Sequence, residues 1–304
     1  MRLTLLRHDC DTGRTCPQIH LTDQCTYAVQ GYLVAPRAAA AAGLSVSAGD
    51  IVVELPAKLL PELEAASPAL RPTARGTVLA SGPPLTDAEA LAELAVPEGE
   101  AVIELPFEAL PDLDVVLDEQ QLGAFIDGRF TSELFRLETL DHYEVGGDGD
   151  DLAAYIQGRP GPDMARKGPW LDVIRSEVER GLHTYRVHVV RSPLTPYLRF
   201  EMEWGYRHNA AAGEHIGIVD LAEQDAPEGL VDRDFWLIAG DGGPDRVVVM
   251  DYDDAGRFRG ARVAPDAEVD RYRRARAAAW DAAVPFGQYW RSHPQFWRDH
   301  RTAA

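Results

Sequence analysis

The sequence predicts a two-domain α+β protein: a duplicated β-rich domain over residues 1–115, then an α/β domain with a mixed sheet over residues 116–304. Three observations predict it. A 16-residue segment occurs twice in the first third of the chain. From about residue 116 the short-strand pattern gives way to longer alternating helix and strand patterns. And 304 residues, 45% apolar and 26% charged, is a soluble globular composition at a length beyond the usual single core.

The repeat justifies the first domain. AGDIVVELPAKLLPEL, from Ala48, returns as EGEAVIELPFEALPDL, from Glu98, at an offset of 50 residues without a gap. Upstream, TYAVQGYLV from Thr26 lines up loosely with TVLASGPPL from Thr77. Each unit reads as a strand, a glycine turn, a short helix and a second strand that ends at Leu-Pro. Ile51, Val53 and Leu55 alternate as Ala101, Ile103 and Leu105 do. Pro56 and Pro106 then stop both strands, because proline cannot donate to a ladder. Ahead of the repeat, RHDCDTGRTCPQIHLTDQC holds Cys10, Cys16 and Cys25 with His8 and His20. The cysteines are separated by five and eight residues, not by the two to four of a zinc knuckle. Three readings stay open: reduced cysteines, a redox-sensitive Cys10/Cys16 pair, and a metal site using Cys10 and Cys16.

Charge bears on partners. The net charge of −19 comes from 30 basic and 49 acidic residues, spread over both halves. An acidic surface repels phosphate backbones, so direct nucleic-acid binding is disfavoured. No apolar run approaches the length of a membrane span, and the N-terminus turns acidic before a signal-peptide core could form. A cytoplasmic location without membrane association is expected. The tail from Val269 is the local exception, with Arg271, Arg273, Arg274, Arg276, Arg291, Arg298 and Arg301 among five Tyr and Trp residues. It reads as one terminal helix that docks its aromatics, or as a surface for an acidic or phosphorylated partner, with Arg273 and Trp290 as anchors.

In the second domain FRLETLDHYEV reads as a strand. PWLDVIRSEVERG reads as an amphipathic helix with Pro169 near its start and Gly181 after its end. TYRVHVVRS is the next strand, and His183 and His188 face opposite sides of it. Then comes TPYLRFEMEWGYRHN. Its alternation permits a strand, but Thr195-Pro196 is a good helix start, and no β-branched residue occurs from Pro196 to His215. On a helix Tyr197, Phe200, Trp204 and His208 share one face, Glu201 flanks it, and Arg199 can pair with Glu203. This segment supplies the candidate site: Glu201 and His208 as an acid/base pair, with Arg199, Trp204, Tyr206 and Asn209 as binding residues. The bland alternative pairs Glu201 with Arg186 or Arg199. EHIGIVDL and DFWLIAG are further strands, RVVVMDYDDAGRFRGARV is a hairpin, and a last helix begins near Asp266.

Nucleotide-binding fingerprints, the G-x-S-x-G elbow and H-E-x-x-H are absent, so no cofactor is named. FRLETLDHY, PWLDVIRSEVERG, PYLRFEMEWGY, AGEHI, DFWLI and MDYDDAGRFRGA resemble, in order, an uncharacterised actinobacterial domain-of-unknown-function family of streptomycete type, over residues 117–290. The front resembles a small actinobacterial protein built around a two-cysteine motif, with Cys25 standing where that pattern has glycine. The resemblance implies a context of helix-turn-helix regulators and small companion proteins. The element order is also similar to half of a phospholipase-D-like domain, but no His-x-Lys occurs in the chain. The leading expectation is a regulatory or interaction protein. The alternatives are an enzyme, a hydrolase or transferase in a specialised pathway using Glu201 and His208, and a toxin-like effector.

Overall fold

The computed structural model describes residues 1–9, 17–60, 67–110, 113–144, 148–239 and 244–298. Cys10 and Cys16 lie outside the described residues. The chain divides into two compact units, Met1–Val115 with Gln120–Phe125, and Val116–Glu119 with Ile126–Ala304.

In the first unit β1 (Leu3–His8), β2 (Gln18–Thr22), β3 (Thr26–Val34), helix α1 (Pro36–Ala41), β4 (Ile51–Pro56), β5 (Leu70–Pro72), β6 (Thr77–Gly82), helix α2 (Ala88–Leu94) and β7 (Glu100–Pro106) follow in order. The strands hydrogen-bond in the order β1-β2-β3-β4-β6-β5, and β7 also pairs with β3. The two similar segments become β4 and β7, each followed by a short 3-10 turn. Each pairs with the first strand of the other segment, β7 with β3 and β4 with β6. Thr26 Oγ1 donates to Glu104 at 2.6 Å, and Thr77 Oγ1 donates to Glu54 at 2.6 Å. A Cβ on Gly31 would sit 2.7 Å from the Glu54 carbonyl oxygen, and one on Gly82 would sit 2.8 Å from that of Glu104. Glycine is needed at both places to let the strands approach. These correspondences concern the strands named. Cys25 has φ +54°, in the left-handed region that favours glycine, and its thiol donates to the Gln121 carbonyl at 2.9 Å.

The second unit contains β8 (Val116–Leu117), β9 (Glu133–Glu138), α4 (Asp148–Ile156), α5 (Met164–Glu179), β10 (His183–Val190), α6 (Pro196–Phe200), α7 (Arg207–Ala212) and β11 (His215–Asp220), and α3 (Glu119–Asp127) straddles the units. It continues with β12 (Phe235–Ala239), β13 (Arg246–Tyr252), β14 (Phe258–Val263), α8 (Asp266–Ala282), β15 (Val284–Pro285) and α9 (Phe286–Ser292). One mixed sheet runs β15-β11-β10-β9-β12-β13-β14-β8, with β9, β10 and β11 parallel and the remaining neighbours antiparallel. The fold class is therefore mixed α+β.

The two faces of this sheet differ. Phe135, Leu137, Val187, Val189, Phe235 and Leu237 form an apolar face against Val269, Tyr272, Ala275 and Ala279 of α8, which recur at helical spacing. The intervening residues are Arg136, Glu138, Arg186 and His188, and α5, α6 and α7 accompany that polar face.

Two elements differ from expectation. Helix α5 begins at Met164, capped by Asp163, whose side chain accepts from the Ala165 N–H at 2.9 Å, so Pro169 lies inside the helix. Packing of Leu171 and Ile174 with Ala212 adds to the cap in holding the helix through the hydrogen bond that the proline removes. The tail is not one terminal helix either. Val284–Pro285 forms a short strand on β11 before α9 begins, since proline and a β-branched residue favour extended backbone.

His293 pins the end of α9. Its Nδ1 donates to the Tyr289 carbonyl at 2.8 Å and Nε2 to Glu223 at 2.7 Å, so both nitrogens carry hydrogens. Burial works against the charged ring, but Glu223 and the Tyr289 carbonyl outweigh it and raise its pKa above the ordinary histidine value. A raised histidine stabilises below its unfolded value and loses that contribution as pH rises through the folded one. Limited proteolysis should therefore cut the α9 end faster at pH 9 than at pH 6. His293→Gln should abolish the difference at a cost of about 1 kcal/mol at the lower pH.

Candidate functional site

Beneath α6 the polar face of the sheet opens into a cleft of about 650 Å³. Its floor comes from the sheet: Arg136 and Glu138 on β9, Arg186 on β10, Trp236 on β12 and Tyr252 on β13. Its walls come from Arg166, Lys167 and Trp170 on the first turns of α5, and from Glu201, Trp204 and Asn209 on the helical stretch.

That stretch is helical but not uniformly α. Residues Glu201–Tyr206 form a π-turn, in which the Arg207 N–H reaches back five residues to the Met202 carbonyl. A π-turn absorbs one extra residue and advances everything after it on the helix surface. In a regular α-helix Glu201 and His208 would share a face two turns apart. Here Asn209 takes that place and lines the cleft. His208 does not line it; Lys167 and Arg207 stand near its ring, and burial together with these cations lowers its pKa. Glu201 and His208 are thus not brought together in the cleft. The Glu201 carboxylate lies against Gly205, where an added Cβ would be 2.7 Å from Oε1.

The other expected residues are spread. Tyr206 is fully buried below the cleft. Glu203 accepts from the Tyr155 hydroxyl at 2.9 Å and pairs with Arg298 at 3.3 Å. Arg199 donates to the Leu194 carbonyl and stacks over Phe296. Arg273 is held by Asp245 and Asp270, both at 2.6 Å. Trp290 packs on Phe286 and accepts at its carbonyl from Trp297. Among the described residues, no three His, Cys, Asp or Glu side chains are grouped to hold a metal.

A buried network underlies the floor. Arg186 donates through Nη1 to Glu138 in a very short contact, and through Nε to Glu214 at 2.9 Å. The Tyr206 hydroxyl lies 2.7 Å from Glu138 Oε2 and 2.6 Å from His188 Nδ1, while His188 Nε2 is 3.0 Å from the Leu140 carbonyl. Glu214 also accepts from Asn209 Nδ2 at 2.9 Å. Burial raises the Glu138 carboxyl, but Arg186, the His188 ring and the Tyr206 hydroxyl outweigh it and hold it below the ordinary value. Burial would lower the Arg186 pKa, yet its two carboxylates raise it well above normal.

Arg136 makes no hydrogen bond into this network. Its guanidinium is 4.5 Å from the Trp236 ring centroid and 5.9 Å from that of Trp170. Among the described residues it has no ion pair, and its buried Nε has no hydrogen-bond partner. Burial and the like charge of Arg186 lower its pKa, against the opposing pull of Glu214, Glu138 and Glu177. Sequence patterning held a signal for this floor that the helical stretch obscured. Parallel strands covered on both faces read as nearly continuous apolar runs, whereas FRLE and TYRVHV place a charge or imidazole at every second position.

These features define the unit as a mixed-sheet α/β domain with a charged, aromatic-walled cleft on one sheet face. The chain belongs to the family of a domain of unknown function, DUF6879, whose model matches residues 120–291, more than half of the chain. No curated protein and no solved structure matches it. The likeness to half of a phospholipase-D-like domain thus has no solved structure behind it. Among the described residues no helix is long and apolar enough to cross a membrane.

Proposed function

We propose that the protein is a regulatory protein that responds to a small anionic ligand bound over Arg136. Arg136 is the observation that supports this reading. A half-buried guanidinium with no carboxylate in an ion pair is costly, and the fold keeps one beside two tryptophan rings at the floor of a ligand-sized cleft. The aromatic faces orient its fork without neutralising it. The absence of familiar catalytic motifs and the family resemblance favour regulation over catalysis. On the same reading the chain works in an actinobacterial cytoplasm beside a helix-turn-helix regulator, and Cys10 and Cys16 belong to a two-cysteine module.

The test needs no ligand. A residue kept for binding is a burden in the empty protein, so Arg136→Met should leave the stability of the second unit unchanged or raise it by about 1–2 kcal/mol. Tryptophan fluorescence during urea unfolding reports that unit alone, because all six tryptophans lie at or beyond Trp170. A loss above about 1 kcal/mol would make Arg136 a structural residue and overturn the proposal.

A further inference from the structure

We infer that the ligand of this cleft is a small zwitterion of the amino-acid type, with a carboxylate, a neighbouring amino group and an aromatic body. The inference rests on the anion site at Arg136, and Asn209 extends it. Asn209 is 5% exposed and lines the cleft. Its amide orientation is determined, because Nδ2 donates to Glu214 at 2.9 Å and an oxygen placed there would face a carboxylate. Oδ1 therefore points the other way, and it is buried with no hydrogen-bond partner. A buried acceptor without a donor is costly, and a ligand donor would satisfy it.

Arg136 is the complementary case, a donor group without an acceptor. Both line the same cleft. Arg136 is in register with Arg186 on the neighbouring strand, Arg186 Nε holds one oxygen of Glu214, and the other oxygen holds Asn209. A ligand that spans them must offer an anionic acceptor at one end and a donor at the other. Phosphate or sulfate would set an anion against Oδ1, and a simple amine would meet the charge of Arg136. A carboxylate with an adjacent ammonium satisfies both. Glu201, which also lines the cleft, adds negative potential for the ammonium. Trp170, Trp204 and Trp236 give the cleft aromatic walls, and the volume leaves room for an aromatic side chain beyond the head group.

Calorimetric titration of the full chain with three probes tests this: L-phenylalanine, 3-phenylpropionate, which lacks the amine, and 2-phenylethylamine, which lacks the carboxylate. L-phenylalanine is expected to bind at least ~10-fold more tightly than either analogue, because each leaves one buried group unmet. Asn209→Leu, if its melting transition is intact, should bring L-phenylalanine down to the level of 3-phenylpropionate; the comparison on the natural chain stands without that variant. Equal binding of L-phenylalanine and 3-phenylpropionate, both lost in Arg136→Met, would overturn the zwitterion and leave the anion site standing. Failure of all three probes in the millimolar range would also overturn the zwitterion, while the anion site would be decided by the stability of Arg136→Met.

Discussion

Arg186→Met will destabilise the second unit by about 3–5 kcal/mol, because it leaves two buried carboxylates without their cation. Glu138 and Glu214 both depend on this guanidinium, one through Nη1 and the other through Nε. Methionine matches much of the volume, so little of the loss comes from packing. Adding Glu138→Gln and Glu214→Gln should recover most of the lost stability, since the stranded charges are removed with their partner. Urea unfolding followed by tryptophan fluorescence measures each variant. A loss below about 1 kcal/mol for Arg186→Met would mean that the carboxylates are solvated from the cleft and that the network contributes little.

How far the sequence made this legible can be judged element by element. The mixed α+β class, the hairpin around Asp253–Gly256 and the helix from Thr195 follow from alternation, turn chemistry and capping, all of them local properties. The start of α5 was obscured by Pro169, a strong local stop that the Asp163 cap and the packing of Leu171 and Ile174 together override. The candidate site was legible by region but not by residue. Glu201, Trp204 and Asn209 do line the cleft, yet its floor lies on β9, β10 and β12, which are separated in sequence and joined only by sheet order. The shift from His208 to Asn209 depends on a π-turn, and no spacing rule for regular helices anticipates one.

Glu138→Gln should cost about 2–4 kcal/mol at pH 7, and its pH dependence locates a proton. His188 Nε2 donates to the Leu140 carbonyl, so its hydrogen is committed. The Tyr206 hydroxyl has one hydrogen but touches both His188 Nδ1 and Glu138 Oε2. One of those two neighbours must therefore supply a second hydrogen: either the ring carries two, or the carboxyl is protonated. The Arg186 contact favours the ionised carboxylate, and Glu138 is held below the ordinary carboxylate value despite burial. A depressed acid contributes stability above its unfolded pKa and loses it as pH falls through the folded one. The gap between the natural chain and Glu138→Gln should then be full at neutral pH and narrow only below about pH 4.3. Had the proton resided on Glu138, glutamine would be close to isosteric with the neutral acid, the gap would be small at pH 7, and it would widen on acidification. Arg186, Arg136, His188, Tyr206, Tyr143 and Asp234 act electrostatically with this carboxyl in the natural chain, so the difference between the two curves reports Glu138 together with the groups coupled to it.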